Sequence, residues 1–182
     1  MHSLTASINS WPKYDYYFKL GVDEIIDELN ELNIPESYTF INLNRNSLTE
    51  FLKITQDMNE NTYEFYDKTI IIASPRLLTL ADYYFSNHKQ ICAFFSSSVQ
   101  KDELVSNLSM IYLNSEFNPP VIQPSRRFYQ RDISILESFL LTKDPASVKK
   151  RFNVATSTIY RWRAVVAWKL GVNKLEHVLL KE

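Results

Sequence analysis

PASVKKRFNVATSTIYRWRAVVAWKLG, residues 145 to 171, decides how the carboxy-terminal part of the chain is read. Ala146, Val148 and Phe152 pattern one short helix, and Ile159, Val166 and Leu170 pattern a second. The turn between them, Asn153 to Thr156, is short and polar at both ends. Thr156, Ser157 and Thr158 offer side-chain oxygens to the unpaired amides that open the second helix, and Tyr160, Arg161 and Arg163 follow within one turn. A groove-reading helix needs that combination, so the stretch predicts a helix-turn-helix that binds double-stranded DNA.

Charge divides the chain in the same place. Residues 126 to 182 hold twelve Lys or Arg against five Asp or Glu, a balance of +7, and the other residues hold eight against sixteen, a balance of −8. The net charge of −1 conceals this. A basic tail on an acidic body is expected when one domain meets a phosphate backbone and the other does not. A solvated basic face would give the same balance, and the helix pattern favours DNA.

Composition bounds the remaining classes. At 182 residues, 45% apolar and 14% aromatic, the chain supports one domain or two small ones with buried cores. The single cysteine, Cys92, lies in the apolar run QICAFF, so no disulfide forms within the chain and a reducing cytoplasm is the expected compartment. The opening MHSLTASINSWPKYDYY lacks the basic flank and apolar stretch of a secretion signal, and no run nears the about 18 apolar residues that span a bilayer. No membrane partner is expected. An enzyme is not expected either. His2, His88 and His177 are scattered, no glycine-rich phosphate loop occurs, and no Cys/His metal spacing is present, so no cofactor and no metal are implied.

Between Ser115 and Arg127, SEFNPPVIQPSRR carries three of the seven prolines and no periodicity, the mark of a linker. Before it, YTFINL (38 to 43), TIIIA (69 to 73) and ICAFF (91 to 95) are continuous apolar or β-branched runs of strand length, as in strands buried on both faces. SLTASI (3 to 8) reads as a weaker edge strand. Helical patterns alternate with these runs over Tyr14 to Leu32, Leu48 to Met58, Leu77 to Phe85 and Lys101 to Leu113. Alternation of this kind predicts a small doubly wound α/β domain with a parallel sheet. The expected organisation is therefore an α/β domain over 1 to 114, a linker over 115 to 127 and an all-α helix-turn-helix domain over 128 to 182.

From Phe128 onward the chain resembles the four-helix DNA-binding domain of LuxR/NarL regulators. The matching residues are Asp132, Ile135 and Leu136 in the opening helix, the Thr158-Ile159 pair, the ending Lys169-Leu170-Gly171-Val172 and the leucine-rich last segment. An acidic α/β domain, a linker and this module are together similar to a response regulator, and Asp15, Phe18 and Gly21 resemble the start of the first receiver helix. Receiver chemistry gathers carboxylates and a metal around a phosphoryl group. Here YTFINL ends in Asn44-Arg45-Asn46 with no acceptor carboxylate, Ser96, Ser97 and Ser98 stand where a lysine would, and Asn9 and Ser10 replace the acid pair. Only Ser74 keeps the expected type. The resemblance implies a pseudo-receiver that neither binds Mg²⁺ nor accepts phosphate, as in auxiliary regulators with degenerate receivers. If the domain holds a small-molecule pocket, Asn44, Arg45, Ser74, Arg76 and Ser96 to Ser98 would line it at the carboxyl ends of the strands. Tyr83, Tyr84 and Phe85 are candidates for an association surface, with core placement as the plainer alternative.

Roles within the helix pair follow from chemistry. Lys149, Lys150, Arg151 and Thr158 are placed to meet phosphates, which fixes register without reading sequence. Tyr160, Arg161 and Ala164 share the outward face of the second helix, and Arg161 is the candidate for bidentate contact to a guanine. Thr156, Ser157 and Lys169 complete the expected DNA-contacting set. Trp162 is expected inside, with Arg163 displaced outward, and Trp168 on the outer face. Leu175, Val178 and Leu179 resemble the family's dimer-forming helix, with core packing as the alternative. The expected partners are DNA and either a second copy or a related response regulator. The competing reading is an interaction module that docks on protein, RNA polymerase for one, without touching DNA.

Overall fold

The computed structural model describes residues 9–34, 38–57, 68–113, 117–142 and 145–180. By its contacts the chain forms two compact units. One comprises Met1–Asn42, Glu64–Pro75 and Tyr84–Val121, and the other Leu43–Tyr63, Arg76–Tyr83 and Ile122–Glu182.

Strands and helices alternate as the runs predict: β1 (Asn9–Trp11), α1 (Tyr16–Glu31), β2 (Thr39–Leu43), α2 (Leu48–Asp57), β3 (Thr69–Ala73), α3 (Leu78–Asn87), β4 (Ile91–Ser96) and α4 (Lys101–Tyr112). The strands form one four-stranded parallel sheet in the order β1-β2-β3-β4. Alternate strand residues explain the unbroken apolar runs. Phe40, Ile70, Ala93 and Phe95 face one way, onto Val22, Ile25, Ile26 and Leu29 of α1 and Leu104, Val105 and Leu108 of α4. Ile41, Ile71 and Phe94 occupy the alternate positions and are fully buried as well, with Phe85 packed 5.5 Å from Phe94 between ring centres. Each buried Val, Leu, Ile or Phe side chain contributes about 1.5–3 kcal/mol of burial.

Two expectations change here. Ser3 to Ile8 lie outside the described residues, as does Met58, and the first described strand is Asn9–Trp11. Asn9 and Ser10 are therefore inside the strand, and the first acid after it is Asp15. That carboxylate ends the approach to α1 by accepting the Phe18 amide at 3.1 Å, which is why the helix begins at Tyr16 and not at Tyr14. Tyr83 and Tyr84 are buried in the core, and Phe85 is half-buried against Phe94 and Phe117.

With only two glycines in the chain, asparagine closes helices. Asn33 after α1 takes φ 58°, and the Ile34 amide reaches the Leu29 carbonyl at 3.0 Å. Asparagine tolerates this left-handed conformation because its short polar side chain bonds locally.

The second unit holds α5 (Gln130–Glu137), a π turn (Ser138–Thr142), α6 (Pro145–Phe152), α7 (Thr156–Lys169) and a 3-10 turn (Leu175–Leu179), together with α2 and the first part of α3. At its centre Asp132, fully buried, accepts the Lys169 ammonium at 2.6 Å and the Tyr129 amide at 2.9 Å. Lys169 also donates to the Arg127 carbonyl at 2.6 Å. The expected DNA contact from Lys169 is thereby corrected: the residue is only 5% exposed, and its charge is used to tie the end of α7 to the start of α5. The last segment is likewise a 3-10 turn in place of a regular helix. Leu175 and Val178 are buried within the unit, so of the three residues expected at a dimer contact only Leu179 is exposed.

Contacts inside this unit also join α2 and α3 to the helices that follow residue 122. The Tyr83 hydroxyl donates to Gln130, and Arg127 lies 4.0 Å from Asp82. Burial raises the pKa of Asp82 against the opposing charge of Arg127. Burial raises that of Glu137 too, opposed by a hydrogen bond to Gln56 and by Arg151.

Candidate nucleic-acid interface

Three residues, Asn153 to Ala155, separate α6 from α7. Asn153 takes φ 49°, and the Val154 amide reaches back to the Lys149 carbonyl at 3.4 Å, so the turn is closed by backbone bonds with asparagine in the left-handed position. The cap expected from Thr156, Ser157 and Thr158 does not form. Ala155 is the N-cap with no side-chain bond, and its carbonyl receives the Thr158 amide at 3.0 Å. The hydroxyls at the start of α7 are thus not consumed by capping. Thr156 and Ser157 are exposed, and Thr158 is half-buried with its oxygen 3.5 Å from an Arg161 nitrogen.

One side of α7 packs and the other does not. Ile159, Val166, Ala167 and Lys169 are buried, whereas Tyr160, Arg161, Ala164, Val165 and Trp168 form an exposed stripe at spacings of one, three and four. Tyr160 is 60% exposed and Trp168 50%. Trp162 and Arg163 share the flanks, both half-buried. Trp162 meets Phe152 of α6 edge-on at 5.6 Å and lies under Arg131 at 4.9 Å, which pins the two helices together. Arg163 turns to the opposite flank, over Phe139 at 4.5 Å, and pairs with Glu176 at 2.8 Å. The expected choice between an inward Trp162 and an outward Arg163 is therefore resolved by both going part-way in, on different sides. Nothing in the sequence marks the pairing of Arg163 with Glu176, because residues thirteen apart share no helical face.

On α6, Val148 is buried while Lys149, Lys150 and Arg151 are exposed in its last turn. The exposed stripe of α7, the Thr156 and Ser157 hydroxyls and this basic turn belong to consecutive helices of one unit.

The strand ends of the α/β part look different. The Asn42 amide donates to Asp15 at 2.7 Å, so the first carboxylate after β1 is held by a helix amide and a side chain of β2. Asn44 accepts the amides of Asn46 and Ser47 at 2.8 and 3.2 Å, folding its own loop. The Ser96 and Ser98 hydroxyls bond each other at 2.8 Å. Of the residues expected to line a pocket there, Asn44, Ser96 and Ser98 close their own turns, whereas Ser97 borders a cleft of about 320 Å³ with Phe18, Ile25, Phe40 and Ile72. Among the described residues, no group of three His, Cys, Asp or Glu is arranged to hold a metal ion, and no helix is long and apolar enough to cross a membrane.

Residues 2–112 match the family model described as the EcpR N-terminal domain. The chain belongs to that family. It is also 29% identical over 172 residues to the Vi polysaccharide biosynthesis protein TviA of Salmonella typhi, covering 94% of each chain. No solved structure matches the chain. In this family member, then, the matched region ends with α4, and the α5 to α7 segment lies beyond it.

Proposed function

We propose that the protein is a sequence-specific DNA-binding transcription regulator that acts without phosphorylation of its α/β part. A LuxR-type helix-turn-helix formed by α5 to α7 would carry the DNA contact. The observation that carries the reading is the exposed stripe of α7, with Tyr160, Arg161 and Ala164 outward beside Lys149, Lys150 and Arg151 of α6. The family match and the near full-length likeness to TviA support a regulatory part, which in a relative named for polysaccharide biosynthesis would be played through gene expression. Lysines and arginines on α6 would neutralise phosphates and make affinity fall steeply with salt, while Arg161 would read a guanine edge. A single unit of this size covers few base pairs, so operator binding calls for two copies, either of this chain or of this chain with a related response regulator.

Gel-shift titration on genomic fragments over a range of salt concentrations tests this. Binding that weakens steeply with salt and with Arg161→Ala is the expected result. A second reading is favoured by Val165 and Trp168, an apolar pair exposed on the same stripe: the helix pair would dock on another regulator or on RNA polymerase. Affinity for every duplex would then stay negligible even at low salt, and capture of the partner would depend on Trp168.

A further inference from the structure

The second unit contains a cleft of about 520 Å³, lined mainly by Ile135, Leu140, Ile159 and Leu179, with Phe139 and the Arg163–Glu176 pair on its wall. That volume lies in the range of small-molecule sites, which are apolar with a few placed polar groups. The polar group here is unusual for a helix flank. The Arg163 guanidinium sits 4.5 Å from the Phe139 ring centre and 5.6 Å from that of Tyr160, and its side chain is 25% exposed. Glu176 accepts one of its five N–H groups, and among the described residues no other group accepts from Arg163. The two members of the pair are held unequally. Two rings fix the cation, whereas the carboxylate stands on a 3-10 turn with a side chain 54% exposed.

We propose that this cleft binds an apolar organic anion, with the hydrophobic body against Ile135, Leu140, Ile159 and Leu179 and the anionic group on Arg163 in place of Glu176. A planar guanidinium takes a carboxylate or sulfonate through two parallel bonds, and a low-dielectric wall strengthens them. A cation would meet Arg163 in repulsion, and a neutral ligand would leave the donors unspent. The proposal does not depend on DNA binding, although Tyr160, one of the two rings beside Arg163, also belongs to the exposed stripe of α7.

The test is calorimetric titration of the full chain with two probes that share a body, 2-naphthoate and 2-naphthylmethanol. Wild type binds the carboxylate with one site per chain and about tenfold tighter than the alcohol. Arg163→Gln removes that preference. Glu176→Gln, which deletes the competing carboxylate at an exposed position, tightens 2-naphthoate several-fold and leaves the alcohol unchanged. Loss of folding cannot produce that gain, so Glu176→Gln decides the matter even if Arg163→Gln is unstable. Absence of naphthoate binding to wild type, equal affinity for the two probes, or no gain in Glu176→Gln overturns the proposal.

Discussion

The strand ends of the α/β part and the outer face of α7 are both rich in polar side chains, and they use them in opposite ways. Asn44, Ser96 and Ser98 are satisfied by neighbours within their own turns and Asp15 and Asn42 by each other, whereas Tyr160, Arg161, Lys149 and Lys150 stand in solvent. Polar groups that close a loop stabilise it and are withdrawn from recognition. Polar groups left on a helix held rigid from behind keep their donors for a partner. The rigidity behind α7 comes from the buried Asp132–Lys169 pair and from Trp162 on Phe152. One helix therefore carries two basic residues of different kinds, Lys169 spent on the fold and Arg161 kept outside.

Breaking the inner member gives the largest effect. Asp132→Ala leaves the Lys169 ammonium buried without its carboxylate, and urea unfolding should record a loss of about 3–5 kcal/mol. Arg161→Ala should leave that stability unchanged and cost about 1–3 kcal/mol of DNA affinity by gel shift, concentrated at one base pair. If both variants lose stability alike, the distinction between the two basic residues fails. Lys150→Ala sharpens it further: affinity should weaken to a similar degree for every sequence, and the slope against salt should fall by about one.

A smaller effect is expected at Glu137. Burial raises its folded pKa above the ordinary value, so its contribution is fully present below that value and is lost as pH rises through the folded pKa. Glu137→Gln should therefore leave the thermal midpoint unchanged at pH 4 and raise it at pH 7, as measured by circular dichroism. The least effect is predicted at the strand ends. Incubation with acetyl phosphate and Mg²⁺ should leave the intact mass unchanged, because Asn44 offers no acceptor and Asp15 is engaged by the Phe18 amide and Asn42. A stable phosphoryl adduct would show that the strand ends remain open to chemistry.

The strands at 39–43, 69–73 and 91–96 were legible because runs of β-branched and aromatic residues buried on both faces have few other solutions. The helix pair and its outward stripe were legible from a period of 3.6 residues, which places Tyr160 and Arg161 opposite Ile159 and Val166 without any knowledge of the partner surface. Lys169 misled for the same reason that Arg161 did not. Both are cations on one helix, and periodicity alone does not say that an acid at position 132 waits inside.

The order of elements, the apolar faces and the concentration of positive charge from residue 126 onward follow from local pattern and composition. Tertiary structure alone decided which polar groups are consumed: Asp132 by Lys169, Arg163 by Glu176, Asp15 by Asn42. Those pairs join residues 37, 13 and 27 positions apart, and only folding brings such partners within the few ångströms at which a hydrogen bond or ion pair forms.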